Sequence, residues 1–352
     1  MPNLPSYLNL YPERLCVLRI LIDRLAVTTR KIVKTMADKK RLILTAIKCC
    51  FSIMLLCWAL RKTNLPEIFL ALRSANIPLL IAAWLIYSTS YYIRSHRWRV
   101  LLKAQGVDAS IPFLFKSYLV SIFFSNFLPS TIGGDAIRAF DVWRLERNKS
   151  IAVATVFVDR FLGLLGLILF AVGALLLSQK LIAPLPLLYP SVLLAAAIVF
   201  LLTGMIFIPS EKLAQLKPQI KLPFWQKLQQ KLINIIKAFL AFGNRKDALA
   251  IALGLSLMVQ ISVIGHYYLI AKALDLSVPL QNLFLIIPLV TLIMVLPVSI
   301  NAIGIRENAF VFFFGIYGYG TSRPETVAFA WLAYGIVIIQ GLLGGIVYGL
   351  RK

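Results

Sequence analysis

Two short stretches of this sequence carry residue types that could bind an anion. LPSTIGGDAIR at 128–138 and LPVSINAIGIR at 296–306 align without a gap and are identical at five of eleven positions. Each ends on an arginine, Arg138 or Arg306, whose guanidinium presents a planar fork of donors that matches phosphate oxygens. We interpret both arginines as ligands of one anionic group. The alternative is a structural arginine that caps carbonyl groups or pairs with an acid, as Arg306 could with Glu307.

Proline and glycine within these stretches predict an interruption of a helix at each site. We expect a first half-helix to end at the proline and the chain to turn at the glycines: Pro129, Gly133 and Gly134 in the first copy, Pro297 and Gly304 in the second. Asp135 is then placed to cap a helix that starts at Ala136, and Ser299 or Asn301 is placed to do so in the second copy. A helix that begins inside a membrane directs free N–H groups and a positive dipole end towards a ligand.

A third pair of charges, Asp159 and Arg160, lies inside the apolar segment VFVDRFLGLLG. Neighbours on a helix point about 100° apart, so the two side chains need separate partners. We expect Asp159 to hold Arg138 or Arg306 until a substrate phosphate displaces it; the alternative is that both side chains extend to the water at the helix end. The candidate substrate-binding residues are therefore Arg138, Arg306, Asp135, Asp159, Arg160, Glu307, Asn126 and Asn301.

The composition indicates that these charged residues lie in a membrane protein. Of the 352 residues 60% are hydrophobic, which indicates an all-α polytopic membrane protein. The net charge of +23 does not indicate a nucleic-acid partner, because the basic residues fall between apolar runs. The four cysteines form no Cys-x-x-Cys pair and the two histidines stand far apart, so we expect neither a metal nor another cofactor.

The apolar runs predict about six full spans and two re-entrant hairpins, or eight membrane segments if each hairpin is counted once. Runs that approach the roughly 20 residues of a crossing helix cover 42–60, 77–93, 151–177, 188–208, 248–271 and 326–350. Three shorter runs, 113–128, 283–296 and 307–319, flank the interrupted stretches. We interpret these short runs as half-helices of the hairpins.

The distribution of basic residues predicts the orientation. With six crossings and the N-terminus inside, 26 of the 37 lysines and arginines lie on the inner side and 6 on the outer side. This asymmetry agrees with the positive-inside rule and places both termini in the cytoplasm. The first hairpin then enters from the cytoplasm and the second from outside, which makes the two copies an inverted repeat of the kind found in alternating-access transporters.

The expected organisation is a basic cytoplasmic segment at 1–41 followed by a single transmembrane domain at 42–350. That domain comprises a first half at 42–208, a basic amphipathic cytoplasmic linker at 209–247 and a second half at 248–350. Residues 14–34 and 224–240 have amphipathic patterns that favour either an anionic membrane surface or packing on the protein itself. Glycines at 341, 345 and 349 predict a close helix-packing face.

Four sequence patches carry a resemblance to a known family. RSHRWRVLLKAQG (94–106), NFLPSTIGGDAIR (126–138), VDRFLG (158–163) and LPVSINAIGIRENAF (296–310) resemble the flippase-like integral-membrane family named after the transmembrane half of lysylphosphatidylglycerol synthase. Together with the span pattern they cover about 42–350. Asp159 stands where the family often shows glutamate, and Ala302 where it often shows glycine.

The resemblance implies a protein of the cytoplasmic membrane that handles phospholipid or polyprenyl-linked lipid. The full synthases add a soluble domain that makes the aminoacylated lipid; the chain ends at Lys352, so we do not expect aminoacyl transfer. The leading hypothesis is a lipid translocase that is not itself an enzyme. The alternative is a membrane-embedded subunit or partner of a glycosyl- or lipid-transferase; against an enzyme stand the absence of an Asp-x-Asp pair and the small number of acids.

Overall fold

The structure, a computed structural model, describes residues 65–127, 132–177, 245–295, 299–319 and 321–351, with isolated positions at Ile43, Pro190, Leu193, Leu194, Ala197 and Phe242. Several sequence predictions lie outside these residues: the N-terminal segment 1–41, the runs 42–60 and 188–208, nearly all of the linker 209–247, Pro129 and Pro297. The helices below all belong to one compact unit, Ser52–Lys352.

Every regular element in the described residues is a helix, as the composition predicts. The described residues contain these α-helices: α1 (Leu65–Ser74), α2 (Ile77–Ala104), α3 (Ile111–Phe127), α4 (Ile132–Glu146), α5 (Lys149–Leu177), α6 (Lys246–Ala273), α7 (Leu280–Val295), α8 (Ile305–Tyr317) and α9 (Arg323–Gly349). A short 3₁₀ turn, Ile300–Ala302, lies between α7 and α8.

Three of these helices, α5, α6 and α9, are long and apolar enough to cross a bilayer. Helices α1 and α2 add a fourth crossing if they count as one span, since they pass the same test together but are bent by 83° at their junction. The apolar helices α3 and α7 have 17 and 16 residues, so each is shorter than the roughly 20 residues of a full crossing. The protein is thus a multi-pass helical membrane protein.

Helix α2 is longer than the sequence analysis predicted. The predicted apolar run ends at residue 93, whereas the helix continues through the basic residues that follow to Ala104. The physical reason is that Arg97, Trp98 and Leu101 continue its buried face at helical spacing. Asn76 caps the start of the helix, where its side chain accepts a hydrogen bond from the Leu79 amide. The extra turns bring basic side chains into the interior.

Two extensive helix contacts join the early and late parts of the described chain: α2 packs against α6, and α3 packs against α9. Glycines allow the α3–α9 approach, because a Cβ atom on Gly344 would meet the backbone oxygen of Leu119 and one on Gly345 would lie 2.8 Å from Phe123. The predicted glycine face is confirmed at Gly341 and Gly345. It is wrong at residue 349, where a Cβ would meet nothing within 4 Å.

Candidate functional site

The site is centred on Asp159, the buried carboxylate in the middle of α5. Its side chain is 1% exposed. Oδ1 accepts a hydrogen bond from Arg97 Nε at 2.8 Å, and Oδ2 accepts from Arg138 Nη2 at 2.8 Å and from the Tyr118 hydroxyl at 2.6 Å. Four helices therefore converge on one carboxylate: α2, α3, α4 and α5. Removing one partner from such a buried pair typically costs about 3–5 kcal/mol, because the other charge is left uncompensated.

Both arginines around this carboxylate are fixed by further contacts. The Arg138 guanidinium carbon lies 3.9 Å from the Tyr118 ring centroid and 4.2 Å from that of Trp98, so cation–π attraction adds to the ion pair. Arg97 Nη1 donates to Ser256 Oγ at 2.9 Å, which ties the cluster to α6. Gly163, one turn after Asp159, leaves room for Arg97, since a Cβ there would lie 3.1 Å from Nη1. The glycine in VDRFLG thus serves the charge cluster.

A second carboxylate extends the cluster towards the first interrupted stretch. Asp135 Oδ2 lies 2.7 Å from Arg160 Nε, and its Oδ1 lies 3.8 Å from Arg138 Nη1. Arg160 is 53% exposed, whereas Asp135 is 24% exposed. The charged groups therefore form an alternating row in the order Arg97, Asp159, Arg138, Asp135 and Arg160.

These charges line a cavity of about 510 Å³. Four arginines and two aspartates contribute to its wall, together with polar and apolar side chains from both parts of the chain. The second part supplies Gln260 from α6, Thr291 and Val295 from α7, and Val337 from α9. Asn126, at the end of α3, also lines it. The cavity thus extends to the ends of both short apolar helices.

The second interrupted stretch contacts the end of α3 beside this cavity. Asn301 adopts a left-handed conformation with φ of +50°, and its Nδ2 donates to the backbone oxygen of Asn126 at 2.8 Å. Ala302 follows with φ of +56° and Gly304 with φ of +81°, a region that favours glycine. Gly304 therefore provides the predicted turn. Ala302 stands where the family resemblance indicated glycine. It adopts a positive φ, which is unusual for alanine.

Arg306 lies in a different environment from Arg138. It is 5% exposed, donates from Nη2 to the Asn301 oxygen at 3.1 Å, and lies 4.4 Å from the Tyr334 ring centroid. It does not line the cavity described above. The structure therefore does not place Arg138 and Arg306 around one common space, because the first is held by Asp159 and the second by its own turn.

Glu307 binds a backbone amide and does not pair with its neighbour Arg306. Its Oε2 accepts a hydrogen bond from the Gly304 amide at 2.7 Å, which is the one capping-box bond that a glycine N-cap can make at the start of α8. Gly304 is the N-cap, so the expectation that Ser299 or Asn301 caps this helix is wrong. The reason is that the chain needs the left-handed turn through Asn301 and Ala302 before α8 can begin.

The first interrupted stretch also departs from the prediction in its details. Helix α4 begins at Ile132, so Gly133 and Gly134 lie in its first turn and do not form a separate turn. Gly134 instead allows close packing, since a Cβ atom would collide with Ser121 and Ser125 of α3. Asp135 is therefore inside the helix, where its carboxylate binds Arg160 and is not an N-cap.

Sequence reasoning missed three members of the site: Arg94, Arg97 and Tyr118. Arg94 and Arg97 follow the predicted run 77–93, lie three residues apart and continue the helical spacing of that run. That spacing was a signal for a helix with one basic interior face. Tyr118 gave no comparable signal, because its role depends on a carboxylate 41 residues away.

Comparison with known proteins gives matches that cover most of the chain. The sequence profile of a family described as the lysylphosphatidylglycerol synthase TM region matches residues 45–344. A UPF0104 membrane protein of Pyrococcus horikoshii is 25% identical over 178 residues, which are 50% of this chain and 52% of the relative. A UPF0104 membrane protein of Methanocaldococcus jannaschii is 33% identical over 101 residues, 28% of this chain and 30% of the relative. The similarity thus spans about half of the first relative and under a third of the second.

Proposed function

Because the chain belongs to the family of the lysylphosphatidylglycerol synthase transmembrane region, we propose that it is a lipid translocase of the cytoplasmic membrane. It would move phospholipid or polyprenyl-linked lipid by admitting the anionic headgroup to the cavity around Asp159. The observation that carries this proposal is the cavity itself, with four arginines and two aspartates at its wall. Ionisable side chains inside membrane helices are costly and mark substrate pathways.

The depth of the charges supports the proposal. Asp159 is ten residues into α5, which corresponds to about 15 Å along the helix axis at 1.5 Å per residue. The 29 residues of α5 span about 43 Å, more than the roughly 30 Å of the hydrocarbon core, so a carboxylate about 15 Å from the start of the helix would lie within that core. A polar cavity at that depth lowers the cost of carrying a charged headgroup past the apolar centre of the membrane.

The architecture that we propose is the inverted repeat of two re-entrant hairpins, α3–α4 and α7–α8. Each pair consists of a short apolar helix, an interrupted stretch and a second helix that carries a buried arginine, Arg138 or Arg306. The hydrogen bond from Asn301 to Asn126 joins the two interruptions. Such broken helices are tolerated at membrane depth when they are buried in protein or line a cavity. Both chain termini would then lie in the cytoplasm.

We propose further that the protein moves its lipid without changing it chemically. A general base or nucleophile needs a carboxylate that is free to accept a proton or attack. Asp159 uses both oxygens for hydrogen bonds from Arg97, Arg138 and Tyr118, and Asp135 is bound to Arg160. Both acids of the cavity wall thus serve to hold arginines in place.

The test is lipid translocation in proteoliposomes that contain a fluorescent phospholipid in one leaflet. Wild-type protein should move the lipid faster than protein-free vesicles do. Asp159→Asn should abolish this movement, because the cavity gains an uncompensated positive charge and Arg97 and Arg138 lose their common anchor. Size-exclusion chromatography would check that the variant remains folded. Wild-type rates in a folded Asp159→Asn protein would remove this carboxylate from the pathway, and no movement by wild type would refute the translocase.

A further inference from the structure

The cavity wall carries more positive than negative charge, and the arrangement of the pairs shows where the excess lies. In the row of five charges that runs from Arg97 to Arg160, each aspartate lies between two arginines. This row holds three arginines and two aspartates, so it retains one positive charge. The remaining cavity arginine, Arg94, stands apart from the row.

Arg94 has no carboxylate partner among the described residues. Its guanidinium carbon lies 5.3 Å from the Tyr91 ring centroid, and its Nε is buried without a hydrogen-bond partner. It lies on α2, one turn before Arg97, and lines the same cavity. Arg94 is half-buried, so water screens its charge less than that of a fully exposed arginine, and an anion that binds there would accept a charged hydrogen bond. Arg94 is thus the side chain in this wall that most needs an anionic ligand.

Among the described residues, both carboxylates of this wall are held by arginines, so neither suits an ammonium group. Both oxygens of Asp159 already accept charged or hydroxyl donors. Asp135 Oδ1 has no hydrogen-bond partner, but it lies 3.8 Å from Arg138 Nη1, and the other oxygen of this carboxylate is bound by Arg160. An ammonium placed there would lie beside two guanidinium groups, and like charges at such distances repel strongly in a low-dielectric site.

Neutral polar groups complete the wall. Ser121, Ser125, Asn126 and Gln260 line the cavity and offer hydroxyl and amide groups. Such groups suit the hydroxyls of a glycerol or sugar unit, which both donate and accept hydrogen bonds. The wall therefore combines excess positive charge with uncharged hydrogen-bonding partners.

We infer that the cavity selects a lipid whose headgroup is an anionic phosphate ester bearing hydroxyl groups and no ammonium, and that Arg94 binds its phosphate oxygens. This inference rests on the proposed function and names its substrate class. An aminoacylated or ethanolamine headgroup would be excluded by the arginines of the wall. The charge of the headgroup, and not the length of its lipid tail, would then determine selection at this site.

The experiment is competition for a fluorescent phosphatidylglycerol bound to the purified full chain in phosphatidylcholine nanodiscs. Unlabelled phosphatidylglycerol should displace the probe, whereas phosphatidylethanolamine and lysylphosphatidylglycerol should compete at least about tenfold less well, because their ammonium group would lie beside the guanidinium groups of the wall. Glycerol 3-phosphate tests a free phosphate as the source of the anion and should compete weakly. Equal competition by lysylphosphatidylglycerol would overturn the inference.

Variants of α2 test the role of Arg94. Arg94→Gln should weaken phosphatidylglycerol binding about tenfold or more, and Arg94→Lys should restore part of the loss because it keeps the charge without the planar fork. Arg99→Gln is the matched control, because Arg99 lies on the same helix but pairs at 3.5 Å with the exposed Asp108. Unchanged binding by Arg94→Gln would overturn the assignment.

The outcomes also separate this inference from the translocase proposal. Wild-type protein that binds phosphatidylglycerol selectively but moves no lipid would refute the translocase and support the headgroup selectivity. Protein that moves lipids without regard to headgroup charge would support the translocase and refute the headgroup selectivity. Displacement by glycerol 3-phosphate as strong as that by the lipid would support the anion site and contradict a lipid as its ligand.

Discussion

Asp159 is the residue on which the site depends most, because its carboxylate is the anion that holds two buried arginines on different helices. Both charged contacts are 2.8 Å long and lie at side chains that are at most 5% exposed. In such surroundings the pair is screened little by water or salt. The energetic coupling between Arg97 and Asp159 should therefore be much larger than that of an exposed pair.

A double-mutant cycle tests this coupling. Arg97→Gln, Asp159→Asn and the combined variant should show a coupling energy of about 0.5–3 kcal/mol in the free energy of unfolding in detergent. The control cycle uses Arg99 and Asp108, a pair on the same helix and its following loop whose side chains are 34% and 76% exposed. Exposed pairs contribute about 0–1 kcal/mol. Equal coupling in the two cycles would show that the buried pair has no special role.

At the residue scale, the sequence predicted the positions that are unusual for their surroundings. Asp159 and Arg138 stand out because they are charges within apolar segments, and Gly304 because it follows a proline in an interrupted helix. The partners could not be predicted in the same way. Arg97 meets Asp159 across 62 residues and Ser256 across 159, so these contacts depend on how whole helices pack. Backbone conformation could not be predicted either: the left-handed conformation of Ala302 is visible only in the structure.

Among the elements, α3 and α9 determine whether the cavity keeps its shape, because Asn126 at the end of α3 donates to the backbone oxygen of Val337 on α9. The two helices approach at Gly344, whose missing side chain leaves room for the Leu119 backbone. Small residues allow such close approach of helices in membranes. The packing of this pair is thus sensitive to a single methyl group.

Alanine substitutions on α9 test this packing. Gly344→Ala should lower the thermal unfolding temperature in detergent, since overpacking typically costs about 1–3 kcal/mol. Gly335→Ala is the matched control, because a Cβ there would meet nothing within 4 Å. That change should be neutral or stabilising by up to about 1 kcal/mol, since alanine favours a helix more than glycine does. A Gly344→Ala protein as stable as wild type would mean that the two helices can separate freely.

The short apolar helices were predictable because the length of each apolar run in the sequence is close to the length of the helix that it forms. Runs predicted at 113–128, 283–296 and 307–319 correspond to α3, α7 and α8. The extension of α2 was not predicted, since its last turns contain arginines that a pattern based on hydrophobicity assigns to a loop. Of these arginines, Arg97 is buried because the site provides Asp159 and Ser256 as its partners.

For the whole molecule, the inverted arrangement makes a prediction about sidedness. If α3–α4 is a re-entrant hairpin, the loops before and after it lie on the same side of the membrane, and the loops around α7–α8 lie together on the other side. The four natural cysteines are first replaced by serine. Single cysteines at Asp108 and Asn148 should then react only from the cytoplasm, and those at Asp275 and Thr321 only from outside. Labelling of Asn148→Cys and Asp108→Cys from opposite sides would make α3–α4 a full crossing.

The central claim is that lipid headgroups pass through the cavity that both parts of the chain line. Val337 and Ile339 lie two residues apart on α9; Val337 lines the cavity, whereas Ile339 is 50% exposed and does not. A tryptophan at Val337 would narrow the cavity, and one at Ile339 would point away from it. Each variant would first be shown to be folded by size-exclusion chromatography.

The decisive measurement is the initial rate of fluorescent phosphatidylglycerol translocation in proteoliposomes for wild type, Val337→Trp and Ile339→Trp. Val337→Trp should lose most of the wild-type rate, whereas Ile339→Trp should retain it. Equal rates in the two variants, with the cavity of Val337→Trp occupied by the indole, would contradict a passage through this cavity.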